Sequence, residues 1–427
     1  MRRFLPMIFL VCAGAVADAH AEAFVDHADL PPLKTVQEVM ANNSRVQVAE
    51  AGIRLEQANA RKLNAGPYEA SARLTQKRRA VDNGSNFNEW EAALERGLRL
   101  PGKAEIDRQL GAQGISQSRL AYGDALHEAG RSLLRLWFAW REQEAQVKQW
   151  QRQVEAFAEQ SRIVKRRVEA GDAPRMEASL SEAAQAQAEY ALRQARLRAQ
   201  SAATELAQRF AGLNLSDDVP WVTPEPLEQG LDYWREKILE HNHELAFVRG
   251  ETQRARLHVS RAGADKTPDP SVGVSYGSER SGEERIAGVF LSIPLPGEAR
   301  AASESGAIAQ SEVAARNEAA TTNRINAEII TAYNAAVAGY DSWNSAQSAA
   351  DGMQHNAELI ARAYALGEMN LSEVLTARRQ ALEASLAASL AMLGARESRY
   401  RLLLDAHQLW PLDADEEEGG GAEHAHY

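Results

Sequence analysis

The apolar positions of this chain fall into a pattern that breaks off and then starts again from the beginning. Helical spacing opens near Leu33 and runs through Val36, Val39, Met40, Val46, Ile53 and Leu55 to Gly66-Pro67, where glycine and proline end it. Two stretches of strand character follow. In residues 90–100, Trp90, Ala92, Leu94, Leu98 and Leu100 share one face while Glu91, Glu95 and Arg99 share the other. The stretch 69–79 is weaker, because Arg73, Lys77, Arg78 and Arg79 crowd it, and 82–86 reads as the polar turn between them. From Pro101-Gly102 to Gly171 there is no proline and no strong stop. One helix is predicted there, spanning on the order of 100 Å at about 1.5 Å per residue. A return helix runs from about Arg175 to Phe210, with alanines that allow close helix packing.

After a linker with Pro220, Pro224 and Pro226, the same order recurs. Glu240-His241-Asn242-His243-Glu244-Leu245 matches Ala41-Asn42-Asn43-Ser44-Arg45-Val46. Strand patterns at 269–276 and 286–293 flank a turn at 277–283, and Pro294-Leu295-Pro296-Gly297 matches Leu100-Pro101-Gly102. A second long helix and a second return helix follow. The predicted fold is mainly α with a small β part: long antiparallel helical hairpins in two structural repeats, each with a β-hairpin. The boundaries read as 22–212 for the first repeat (β-hairpin 68–100, long helix 102–170, return helix 173–211) and 213–227 for the linker. The second repeat is 228–410 (β-hairpin 270–296, long helix 298–366, return helix 371–409). Repeats of this kind seldom bury their own apolar faces alone.

Composition narrows the class. The chain has 427 residues, 44% hydrophobic but only 6% aromatic, which favours long helices over several compact cores. A net charge of −11 argues against nucleic acid, whose phosphates need concentrated positive charge. Residues 1–21 have the form of a secretory signal: Arg2 and Arg3, an apolar run, and Ala19-His20-Ala21 as the cleavage site. The single cysteine, Cys12, lies in that run, so the exported chain is expected to contain no disulfide. Residues 411–427 read as a flexible acidic tail that carries His424 and His426.

Strands of about ten residues are long enough to cross a bilayer when tilted. Four per chain cannot close a barrel, and open edges are not tolerated in hydrocarbon. Three copies sharing one barrel would supply twelve strands, within the known range. The strand-exit motifs Leu100-Pro101-Gly102-Lys103 and Ile293-Pro294-Leu295-Pro296-Gly297 point the same way. So does Ala363-Tyr364-Ala365-Leu366-Gly367, followed by Leu371-Ser372-Glu373-Val374-Leu375-Thr376-Ala377. Together, and in duplicate, they resemble the TolC-like outer-membrane efflux channel family over almost the whole chain. The resemblance implies a homotrimer with a twelve-stranded barrel in outer-membrane lipid and an α-helical tunnel in the periplasm. It also implies helical tips that dock a periplasmic adaptor protein from an inner-membrane pump, for efflux of small solutes such as metal cations or drugs. The alternative from another class is a periplasmic helical scaffold or adaptor without a pore.

The candidate chemistry lies at two glycine-led breaks, Gly171-Asp172 and Gly367-Glu368, each with a glutamate six residues on, Glu177 and Glu373. Under three-fold symmetry these carboxylates could ring the pore and favour cations. As helix-start residues they would simply complement the macrodipole. The family's second tip often has two acids three apart; this chain has Glu373 but Thr376, which leaves one acidic ring. The resemblance assigns adaptor docking to Gly171, Asp172, Gly367 and Glu368. His241 and His243, two apart in a helical pattern, face different ways and have Asn42 and Ser44 as repeat partners, so they read as helix-start residues rather than metal ligands. No nucleophile elbow, phosphate loop or zinc-hydrolase pattern is found, and neither an enzyme nor a cofactor is predicted.

Overall fold

The computed structural model describes residues 26–82, 84–216 and 218–412. The signal segment and residues 413–427 of the acidic tail lie outside the described residues. Two helices, α1 (Leu33–Ala41) and α2 (Ser44–Ala65), lead into strands β1 (Ala70–Arg79) and β2 (Phe87–Gly97). The long helix α3 (Pro101–Glu169) and its return α4 (Arg175–Arg209) complete the first repeat. The second repeat has α5 (Leu231–Glu240), α6 (His243–Asp265), β3 (Ser271–Glu279), β4 (Glu284–Ser292), α7 (Glu298–Ala365) and α8 (Leu371–Asp405).

Where the pattern predicts one helix from Leu33 to Gly66, the structure has two. The break comes at Asn43, whose side chain accepts the Arg45 amide at 3.0 Å, and it recurs at Asn242, which accepts the Leu245 amide at 2.7 Å. These caps satisfy amides that a continuous helix would bond itself, so the chain turns at matching places in both repeats. The second β-turn is also shorter than predicted: β3 runs on to Glu279, and the reversal is a short 3-10 turn, Arg280–Gly282.

The four strands form one antiparallel sheet in the order β1-β2-β3-β4. Residues directly opposite one another share a face, so the register sorts the side chains. Leu74, Ala92, Tyr276 and Ala287 lie in one row, and Ala72, Leu94, Val274 and Val289 in the next, on the same face. Arg73, Thr75 and Lys77, with Glu91 and Glu95 of β2, occupy the opposite face. The charges that make β1 look a poor strand therefore alternate to one side, and Arg78 is the one that falls among the apolar rows, near the strand end. On the polar face the Phe290 ring covers Gly273, where an added β-carbon would come within 2.2 Å of the ring.

A charged joint ties the sheet to the helices. Lys103, 2% exposed, pairs with Asp269 at 2.9 Å and Asp265 at 3.1 Å and donates to the Thr267 carbonyl at 2.7 Å. Asp269 also accepts from the Tyr68 hydroxyl at 2.7 Å, and Asp107 holds both Arg99 at 3.0 Å and Arg261 at 2.6 Å. The largest apolar core lies midway along α3, where Trp137, Phe138 and Leu133 meet Val36, Val39 and Met40 of α1 and Tyr400 of α8. There Arg396 grips buried Asp29 through two bonds of 2.7 and 2.8 Å, and the Trp137 indole donates to the Asp29 carbonyl at 2.9 Å. The linker is pinned too: Arg141 donates to the carbonyls of Val219 and Pro220 at 3.0 and 3.1 Å and lies over Trp221. Leu412 is 5% exposed, so the packed chain extends past 410 before the acidic tail begins.

Candidate functional site

The two glycine-led breaks come together at the end of the molecule farthest from the sheet. At each, the chain leaves a long helix through the same pair of backbone bonds. The Gly171 amide donates to the Val168 carbonyl (3.1 Å) and the Asp172 amide to that of Arg167 (2.8 Å). In the second repeat Gly367 donates to Tyr364 (3.0 Å) and Glu368 to Ala363 (2.9 Å). This is the Schellman arrangement, and it requires a left-handed residue, here glycine at φ +80° and +82°. Below the turns the tips pack through a shared cluster of Val164, Tyr364, Leu371 and Val374. Gly171, Asp172, Gly367 and Glu368 are all exposed, with Leu366 76% exposed beside them.

The two glutamates have different surroundings. Glu373 completes a capping box: its amide donates to the Asn370 side chain at 3.0 Å and its carboxylate accepts the Asn370 amide at 2.9 Å. Its side chain is nevertheless exposed. Glu177 is half-buried and accepts from the Tyr364 hydroxyl at 3.1 Å, a contact between repeats that the sequence does not announce. Burial and this bond raise the pKa of the Tyr364 hydroxyl, so it remains a donor, and the Arg167 guanidinium lies over its ring at 5.0 Å. Both glutamates therefore stand at one end of the molecule, each held in a fixed orientation by its own neighbour.

A second constellation gathers at mid-length. His241 and His243 do not sit on one helix; they flank the break between α5 and α6. That break turns both rings toward His407, each at a centroid distance of 5.3 Å, and His127 of α3 lies at 4.0 Å from His407. No spacing in the sequence links these positions.

At the opposite end, the sheet carries its apolar side chains outward without any covering layer from this chain. Leu74 is 78% and Val289 83% exposed, in strands of nine to eleven residues. Among the described residues no helix is long and apolar enough to cross a membrane. Residues 234–403, most of the second repeat, match the family model described as outer membrane efflux protein. The second repeat is thus similar to the outer membrane efflux proteins, over less than half of the chain. The first repeat, which lies outside that match, repeats the element order and completes the same sheet.

Solved structures show the same fold across both repeats. The Campylobacter jejuni CmeC outer membrane channel is similar at 16% identity and a TM-score of 0.75, over 90% of this chain and 87% of that one. The open state of the Neisseria gonorrhoeae MtrE channel gives 17% identity and 0.71, over 88% and 89%. The Vibrio cholerae outer membrane protein VceC gives 15% and 0.71, over 88% and 95%. No curated protein matches by sequence. At these identities the likeness establishes the fold of this chain.

Proposed function

We propose that three copies of the chain assemble into the exit duct of a tripartite efflux system, working with a periplasmic adaptor protein and an inner-membrane pump. The observation that carries this reading is the sheet itself. It has two open edges, β1 and β4, with mainly apolar central rows on one face and most of the β1 and β2 charges on the other. An open sheet in lipid leaves backbone groups unbonded, and joining edges between copies removes that cost. Three copies give twelve strands, with Leu74, Leu94, Val274 and Val289 toward lipid and Arg73, Lys77, Glu91 and Glu95 toward the lumen. The long helices support the same reading. In α7 the buried residues are confined to Ile325, Ile329, Ala336, Ala350, Ala357 and Tyr364, which leaves most of its surface for neighbouring copies.

In this assembly the tips form the periplasmic mouth. Gly171, Asp172, Gly367 and Glu368 dock the adaptor, and Glu373 with Glu177 places carboxylates around the aperture. Small solutes pass through when the hairpins rearrange, and the pump supplies the energy. The test is single-channel recording of the purified protein in planar bilayers, with Glu373→Gln and Glu177→Gln. Glutamine preserves the capping box and the acceptor for Tyr364, so only charge is removed. The expected result is a cation-selective pore in the parent and loss of much of that selectivity in the double variant. Unchanged selectivity would remove the carboxylates from the aperture, and a chain that stays soluble after lysis and forms no pore would overturn the duct reading.

A further inference from the structure

We propose that His127, His243 and His407 bind one divalent transition-metal ion of the zinc type at mid-length of the helical body. The three come from separate elements: His127 from the middle of α3, His243 from the first position of α6, and His407 from the end of α8. One ring nitrogen from each lies within 4.8 Å of the other two. His127 Nε2 and His407 Nδ1 are 3.3 Å apart. Ligands at about 2.0–2.1 Å around a tetrahedral zinc are separated by roughly 3.3–3.4 Å, so this pair already stands at the required edge length. Without the ion, the two ring nitrogens are within hydrogen-bond reach of each other. Neutral imidazoles suit zinc, copper, nickel or cobalt, whereas calcium and magnesium prefer oxygen.

Two independent features of the backbone shape this place. The end of α8 uses the same pair of bonds as the tips: the His407 amide to the Leu404 carbonyl at 3.0 Å and the Gln408 amide to that of Leu403 at 2.8 Å. At both tips the left-handed residue is glycine; here it is histidine at φ +58°, a conformation that a β-carbon disfavours. The strained backbone directs the ring toward His127, which is 6% exposed. One turn earlier in α3, Gly123 clears the space that the His243 ring fills. A β-carbon there would fall 2.8 Å from ring atoms Cε1 and Nδ1. Glycine weakens a helix interior, so its position under this ring needs a local reason, and the ring supplies one. His241, facing His407, or a water molecule would complete a four-coordinate ion. An ion held this way clamps α3 of the first repeat to α6 and the end of α8 in the second, and the site stands whether or not the chain forms a pore.

The test uses the full-length protein in detergent, free of any affinity tag, with His424→Ala and His426→Ala removing the tail imidazoles, and Co²⁺ as the probe. The expected result is one Co²⁺ per chain with the intense visible bands of a tetrahedral site, displaced by Zn²⁺. His243→Gln should weaken binding by roughly tenfold or more. His407→Gly removes a ligand while giving the left-handed position the residue it favours, so lost binding there cannot be ascribed to misfolding. Gly123→Ala should weaken binding by displacing the His243 ring. No saturable Co²⁺ binding, a weak octahedral spectrum, or undiminished binding by the His407→Gly protein would overturn the site.

Discussion

The side chain of Glu397, half-buried on α8, has its pKa pushed up to about 7, first by burial and then by the nearby Glu142 carboxylate; Arg135 and Arg401 offset this only in part. Burial raises Glu142 as well. A carboxyl whose pKa rises on folding stabilises the folded chain while it is protonated. From an ordinary value of 4.5, that contribution is complete below about pH 4.5 and is lost as the pH climbs through about 7. Glu397→Gln, which stays neutral, should leave the thermal midpoint near the parent's at pH 4 and raise it above the parent's at pH 8. An equal shift at both values would mean that charge is not the cause. Nothing in the sequence marks Glu397 out from other helix-surface acids. Glu142 and Arg135 of α3 shape its environment, and the partners of His407 are likewise remote in the chain. Glu373 is different: Asn370 and Glu373, three apart at the head of an apolar run, already spell a capping box.

At the scale of elements, the tips show what a local pattern can encode. Gly171 and Gly367 close identical turns, and an added β-carbon at either would meet no atom within 4 Å, so only the positive φ resists substitution. Valine at both positions should strain the turns by about 1–2 kcal/mol each. It should abolish pump-dependent resistance while leaving the assembled protein in the outer membrane, as read by fractionation and heat-modifiable migration. Normal resistance would count against docking at these turns. The strands show the limit of a local pattern. The β1 composition looks unfavourable until pairing is known, because Arg73, Lys77 and Arg79 lie on the face shared with Glu91 and Glu95. Similarly, helical periodicity runs through Asn43, and the break there follows from a side-chain cap that periodicity does not register.

The whole molecule sets the cost of a charge by which face it lands on. Val289→Arg, in the middle of β4 on the apolar face, should destabilise the proposed barrel by about 2–4 kcal/mol. Thr75→Arg, opposite Glu91 on the polar face, should be nearly neutral. Unfolding of the two variants in lipid checks the difference, and equal losses would mean that the faces are wrongly oriented.

The sequence by itself determined the two repeats, the long helices and their returns, the glycine turns and the alternation of β2, because each depends on residues near one another in the chain. The resemblance to the efflux channels rests on those same local motifs in duplicate. Only the tertiary structure decided the register that sorts the β1 charges and the Lys103 joint with Asp265 and Asp269. It alone joined Glu177 to Tyr364 and brought three histidines together. Each of these pairs residues far apart in the chain, and their contact depends on how the two repeats pack, which no local periodicity specifies.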